Sequence, residues 1–275
     1  MPRRLASGIL SLVGVLALAA CASGEPAPAR TVTVTPSPSA TSGSAGPSAP
    51  AGPTGSATPS AIETVEFDGQ SFDVAVLDLD AWEVRVVWDP EASDGTYLGE
   101  VEGDVLTNAG IFTPSYVPGG LLVSDGETLV GLNLNEGSGN FHLLPNAVFA
   151  LHEDGSASVV DSTQYDGTGV TQATQSGPAL VLDGSLHPAF TPGSTNTAIR
   201  NGVGVTADGR TVVLAISRAP VNLETFARLF RDALDCPDAL YLDGQISGLW
   251  AAGAGRDVDL VLQPYAGVIS ATRAP

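Results

Sequence analysis

Four short stretches of the chain carry side chains that packing alone does not require. Leu242-Asp243-Gly244-Gln245-Ile246-Ser247 ends an apolar run on a carboxylate, with a hydroxyl close behind. Thr107-Asn108-Ala109-Gly110-Ile111-Phe112 sets an amide beside small residues in an apolar setting. Thr174-Gln175-Ser176-Gly177-Pro178 leads polar groups into a rigid turn, and Ile199-Arg200-Asn201-Gly202-Val203 places a charge and an amide inside a strand-like run. Together they offer a carboxylate for proton transfer, a planar guanidinium that can grip two oxygens, and neutral amides and hydroxyls for hydrogen bonds. Singly, each has a plain reading. Asn108 and Asn201 suit turns or bulges, Gln175-Ser176-Gly177 suits a loop, and Arg200 suits a surface ion pair of small value.

Asp243-Gly244 also reads as a hairpin turn, because Asp-Gly occurs at eight places. Five of them, at Asp68, Asp125, Asp154, Asp183 and Asp208, lie between apolar or alternating runs, as hairpin turns do. Asp243 differs, since Ser-Gly and Trp250 follow it rather than a clean returning strand. An apolar run that stops on an acid marks it as the first candidate for chemistry.

The elements that must hold these residues are mostly strands. The pattern predicts Thr64–Phe67, Phe72–Leu77, Trp82–Trp88, Val105–Phe112, Leu121–Ser124, Thr128–Leu132, Ala147–His152 and Ala157–Val160. It continues with Ala179–Leu182, Gly202–Thr206, Thr211–Ser217, Ala239–Leu242, Val258–Leu262 and Gly267–Ser270. One helix is clear: Asn222 caps it, Glu224 suits its first turn, and Leu223, Phe226, Ala227, Phe230, Ala233 and Leu234 share a face until Pro237 ends it. A weaker helical signal lies around Leu98–Val105 or after Gly244. The expected fold is α+β, a single domain of mostly antiparallel or mixed β-sheet with few helices.

The ends set the location. Arg3 and Arg4 precede an apolar stretch too short to span a bilayer, closing on Leu18-Ala19-Ala20-Cys21. Residues 1–20 read as a lipoprotein signal, with Cys21 the diacylated anchor of an extracytoplasmic, membrane-tethered protein. Residues 21–62, rich in Pro, Ser, Thr, Ala and Gly, read as a disordered stalk, which leaves 63–275 as the folded domain. Without Arg3 and Arg4, nine arginines face 30 acids, a net charge of −21, which disfavours nucleic acid as a partner. The chain has no lysine, so a P-loop lysine, a Schiff-base lysine and a Ser–Lys dyad are excluded. Once Cys21 is lipidated, Cys236 alone remains, and no intramolecular disulfide can form.

In this order, Asn108-x-Gly110-x-Phe112, Ser176-Gly177-Pro178-x-Leu180, Arg200 before a Val-Gly strand and Leu242-Asp243-Gly244-x-x-Ser247 resemble the phosphodiester glycosidase family. Gly139-Asn140-Phe141, Pro145-Asn146-Ala147-Val148-Phe149 and the Phe226–Cys236 helix are similar to its bacterial branch, and the resemblance spans about Val105 to Trp250. It implies hydrolysis of sugar 1-phosphodiesters in the cell envelope or in exported polysaccharide. Asp243, Arg200 and Asn108 would be catalytic, Arg200 gripping the phosphate. Gln175, Ser176, Gly177, Asn201, Gly244 and Ser247 would contact substrate. Asp243 suits a general base, a general acid or a stabiliser of positive charge at the anomeric carbon, and the residues leave C–O and P–O cleavage open. No motif points to the second carboxylate of an ordinary glycosidase pair. Gln245 stands where the family often has a second glycine, and Ala109 where the animal member has Gly, which leaves room for a different sugar or leaving group.

His142, His152 and His187 show no metal-ligand spacing, and no nucleophile elbow or dinucleotide fingerprint occurs. No cofactor is expected, although carboxylates and backbone carbonyls can hold a divalent cation without a readable motif. Two other classes fit the anchor: a non-catalytic carbohydrate- or phosphate-binding lipoprotein, and a transporter's solute-binding lipoprotein. The latter fits least, since two βα-repeat lobes are not in evidence in the pattern.

Overall fold

Alternating burial explains most of the strands. In β3 (Trp82–Val87), Trp82, Val84 and Val86 are buried while Glu83 and Arg85 face out, the period of two that a half-buried strand requires. The computed structural model describes residues 61–244, 246–252 and 263–274, all within one compact unit, Gly55–Pro275. The signal and its Cys21, the stalk through residue 60, Gln245 and the expected strand Val258–Leu262 lie outside the described residues. Among the described residues no helix is long and apolar enough to cross a membrane.

Sixteen strands form three sheets, antiparallel at every pairing among the described residues. The largest has the order β1 (Glu63–Phe67), β2 (Gln70–Asp78), β13 (Thr211–Ser217), β12 (Asn201–Val205), β14 (Asp238–Asp243), β10 (Ala179–Leu182) and β11 (Ser185–Leu186). The second runs β15 (Leu249–Ala251), β4 (Val105–Asn108), β16 (Val268–Arg273), β3. The third runs β6 (Glu127–Val130), β5 (Leu122–Ser124), β9 (Val170–Ser176), β7 (Ala147–His152), β8 (Ala157–Asp161). The expected α+β class with few helices holds.

One apolar core, with Leu77, Val86, Phe149, Leu214, Leu240 and Ile269 among its members, joins all three sheets. A second, around Phe72, Val213, Phe226 and Phe230, packs the helix on the other face of the seven-stranded sheet. That double cover is why β12 and β14 are buried almost throughout and read as apolar runs. Helix α1 (Leu223–Arg228) starts where Asn222 accepts a hydrogen bond from the Thr225 N–H, and its last turns widen to π geometry over Leu229–Ala233. All five expected Asp-Gly hairpins form, and Asp68, Asp125 and Asp183 take the positive φ that type I′ turns require.

Three expectations need correction. Strand β4 stops at Asn108 instead of reaching Phe112. The weaker helix reduces to one 3₁₀ turn, Leu98–Glu100. Gln175 and Ser176 are not loop residues: they end β9, an inner strand of the five-stranded sheet. The polarity of β9 misleads because buried backbone consumes it. The N–H groups of Val86, Gly110 and Ile111 donate to the side chains of Gln172, Thr174 and Ser176.

Candidate active site

The three sheets bring strand ends together at Asp243. Along β14, Leu240 and Leu242 face the shared core, whereas Tyr241 and Asp243 lie two apart on the opposite face. Opposite Asn201 sits Asp243, but opposite Gly202 sits Tyr241, so Leu242 is a bulge. Bulges of this kind re-aim side chains beside active sites. The bulge takes the Asp243 N–H out of the ladder, and it donates to Asn201 Oδ1 at 3.1 Å.

Asn201 is tied in turn to the end of β4. Its Nδ2 donates to Asn108 Oδ1 and Thr107 Oγ1, both at 2.9 Å, and Asn108 Oδ1 also accepts the Gly248 N–H at 2.9 Å. The third sheet joins through Ser176, whose hydroxyl donates to the Leu242 carbonyl at 3.0 Å. Ser247 closes the turn after Asp243 by donating to the Asp243 carbonyl at 2.9 Å. Asp243 Oδ1 accepts the N–H groups of Gly244 and Ile246 at 2.5 and 3.4 Å. Glycine at 244 leaves room for the Tyr241 hydroxyl, which a Cβ there would push aside.

Asp243 and Tyr241 line a cleft of about 570 Å³, with Asn140, His142, Phe112 and Phe141 among its walls. The Asn140 amide donates to the Tyr241 hydroxyl at 3.4 Å, and Arg200 Nη1 donates to the same oxygen at 3.3 Å. With two donors on its oxygen, that hydroxyl keeps its own proton for a third group. Burial, helped by the nearby Asp243 charge and opposed by Arg200, pushes the Tyr241 phenol up to about 12. It is therefore a neutral donor at physiological pH. His142 meets the Asn135 carbonyl through Nδ1 at 2.9 Å, which puts the proton of a neutral ring on Nδ1 and leaves Nε2 an acceptor.

Arg200 lies behind the cleft wall. It is 2% exposed, its CZ stands 5.4 Å from the Tyr241 ring centroid, and its Nε and Nη2 donate to the carbonyls of Val221 and Asn196. Among the described residues no carboxylate pairs with it. Burial lowers its pKa, while Tyr241 opposes the shift, and a guanidinium so placed stays charged.

The residues expected at the site thus divide. Asp243 lines the cleft, with Gly244 beside it. Asn108, Asn201 and Ser247 fix the Asp243 turn from behind. Gln175 lies under the wall: its Oε1 accepts from the Leu121 and Asn133 N–H groups, and its Nε2 donates to the Asn133 carbonyl and Ser162. Gly177 lets the wall close, since a Cβ would stand 2.6 Å from the Phe141 carbonyl oxygen. Asn146 pins the same turn by donating to that oxygen at 2.9 Å. Tyr241 and Asn140, both in the lining, are not among the residues the sequence placed at the site. Strand alternation signals the first, two residues before Asp243 on the same face. The second stands inside Gly139-Asn140-Phe141.

A second depression, of about 630 Å³, lies over the four-stranded sheet among Glu83, Glu100 and Glu102. Its cation, Arg85, is held by Asp125 at 2.5 Å, and none of the residues expected at the site reaches it. Among the described residues no three His, Cys, Asp or Glu side chains gather as a metal-binding group.

Residues 102–267, more than half of the chain, match the family described as phosphodiester glycosidase. An uncharacterised Escherichia coli K12 protein, YigE, is 34% identical over 175 residues, 64% of this chain and 67% of that protein. The catalytic domain of zebrafish N-acetylglucosamine-1-phosphodiester alpha-N-acetylglucosaminidase, solved auto-inhibited by its pro-peptide, superposes with a TM-score of 0.55 at 16% identity. That match covers 78% of this chain and 82% of the zebrafish one. A Burkholderia pseudomallei protein described as a candidate exported protein superposes with a TM-score of 0.52 at 12% identity, covering 74% of each chain. At such identities the two solved structures share the fold. The family match and the Escherichia coli relative carry the assignment: the chain belongs to the phosphodiester glycosidase family.

Proposed function

We propose that the chain hydrolyses glycosyl phosphodiesters of the cell envelope or of exported polysaccharide, outside the cytoplasm and tethered to the membrane through Cys21. One observation carries this reading. Among the described residues the cleft wall holds a single carboxylate, Asp243, beside two neutral donors, Tyr241 and Asn140, with the Arg200 charge behind them. Ordinary glycoside hydrolysis uses a second carboxylic acid to protonate a poor leaving group. A phosphodiester leaves as a phosphate, already an anion, so one carboxylate and donors aimed at the phosphate oxygens suffice.

In this reading Asp243 takes a proton from water as the water oxygen bonds the anomeric carbon. The C1–O bond breaks, its electron pair passes to the phosphate, and a phosphomonoester departs. Tyr241 and Asn140 donate to phosphate oxygens, and Arg200 supplies positive potential through the phenol. Asn108, Asn201 and Ser247 hold the carboxylate in place, while Gln175, Ser176, Gly177 and Gly244 serve substrate by shaping the walls. The steps draw on protein groups and water alone.

Family membership supports the reaction class. The zebrafish neighbour's name points to a 1-phosphodiester of N-acetylglucosamine, and the methyl phosphodiester is the simplest to try. Incubated with the purified chain, it should yield free sugar and methyl phosphate. A chain that binds the diester yet releases neither product is a binding lipoprotein, and the enzyme reading falls.

A further inference from the structure

The rim of the cleft has a character that hydrolysis as such does not explain. Among the described residues four large apolar side chains are exposed, Val76, Val117, Leu134 and Leu144. Three of them belong to chain segments that wall the cleft. Leu134 directly follows Asn133, which lines it, and Leu144 comes two residues after His142. Val117 and Thr113, a lining residue, bond through the Thr113 N–H to the Val117 carbonyl at 2.9 Å. Single exposed apolar residues are ordinary, but three of the four on the two segments that wall one cleft bear on what the cleft receives. Inside, Ile111, Phe112, Pro114 and Phe141 add apolar surface to the lining.

Charge points the same way. Segments 111–119 and 131–144, which carry this rim, contain one charged residue, Glu136, and no arginine occurs between Arg85 and Arg200. The rim therefore has no cation for a second phosphate, and the acidic chain as a whole repels a polyanion. An uncharged apolar group fits it.

We infer that the phosphodiester taken by this cleft carries a lipid-like alcohol, an alkyl or isoprenoid chain, lying along Phe112, Val117, Leu134 and Leu144. This rests on the proposed hydrolysis and deepens it. The sugar and phosphate sit at Asp243, and the chain of the alcohol runs out over the rim. Water adds as above, so the products are free sugar and an alkyl phosphate.

The test uses methyl, butyl and octyl phosphodiesters of N-acetylglucosamine, below micelle-forming concentration, with the diester to a second sugar as the polar control. Binding is measured by calorimetry to the Asp243→Asn chain and turnover with the native one. Octyl should bind at least tenfold tighter than methyl, a gain of about 1.4 kcal/mol that burying roughly two methylenes supplies. The Leu134→Ser/Leu144→Ser chain should lose that gain and keep its methyl affinity. Equal binding across the series, or tighter binding of the sugar-alcohol diester than of octyl, overturns the inference whether or not turnover occurs. Graded binding to the Asp243→Asn chain with no turnover by the native one upholds the apolar subsite and overturns the hydrolase reading instead.

Discussion

Behind Asp243, the amides of Asn108 and Asn201 spend themselves on each other, on Thr107 and on the N–H groups of Asp243 and Gly248. In front, Tyr241 accepts from Asn140 and Arg200 and keeps a proton for the cleft. Both sides are polar and buried, yet one is closed and the other has capacity left. The difference separates residues that place the carboxylate from residues that meet a ligand. Recurrence in a motif does not separate them, because hydrogen-bond saturation decides the role.

Substitutions on each side sharpen that contrast. Asp243→Asn keeps an acceptor for the Gly244 and Ile246 N–H groups, so the fold should persist while kcat/KM falls by roughly 10³-fold. Melting and turnover measured on the same sample check both halves. Tyr241→Phe keeps the ring against Arg200 and removes the donor. It should cost about 10²-fold in kcat/KM and about 1 kcal/mol of stability. Gln175→Leu inverts the pattern: it strands the buried Leu121 N–H and the part-buried Asn133 N–H, should cost about 3 kcal/mol in urea unfolding, and should leave the folded protein's KM nearly unchanged. A Gln175→Leu chain that folds normally but loses turnover would erase the distinction.

The smallest effect is alkaline. Burial pushes Tyr241, Tyr265 and Cys236 from 10.0, 10.0 and 9.0 up to about 12. The folded state keeps protons that the unfolded chain releases. Stability is therefore full below about pH 9 and declines as pH rises toward 12. Tyr241→Phe should shallow that decline, read as the urea midpoint against pH.

Much of this was legible in the residues. Asp243 stood out because an apolar strand ends on it, and the five hairpins followed from Asp-Gly between alternating runs. Strand β9 was not legible, since Gln172, Thr174, Gln175 and Ser176 look like a loop until the backbone groups they satisfy are known. Nor was the place of Arg200. A charge inside a strand suggests contact with an anion, but its partners, Val221, Asn196 and Tyr241, come from separate elements, and the guanidinium ends up behind a phenol. The Leu242 bulge depends on register between β12 and β14, which no local pattern fixes.

Where the oxygen of water goes tests the central claim most directly. The purified chain would be given the methyl phosphodiester of N-acetylglucosamine in ¹⁸O-labelled water, and both products weighed by mass spectrometry. Attack at the anomeric carbon, assisted by Asp243, puts the label in the sugar and none in the methyl phosphate. Label in the phosphate product would contradict the account, and so would unchanged turnover by Asp243→Asn.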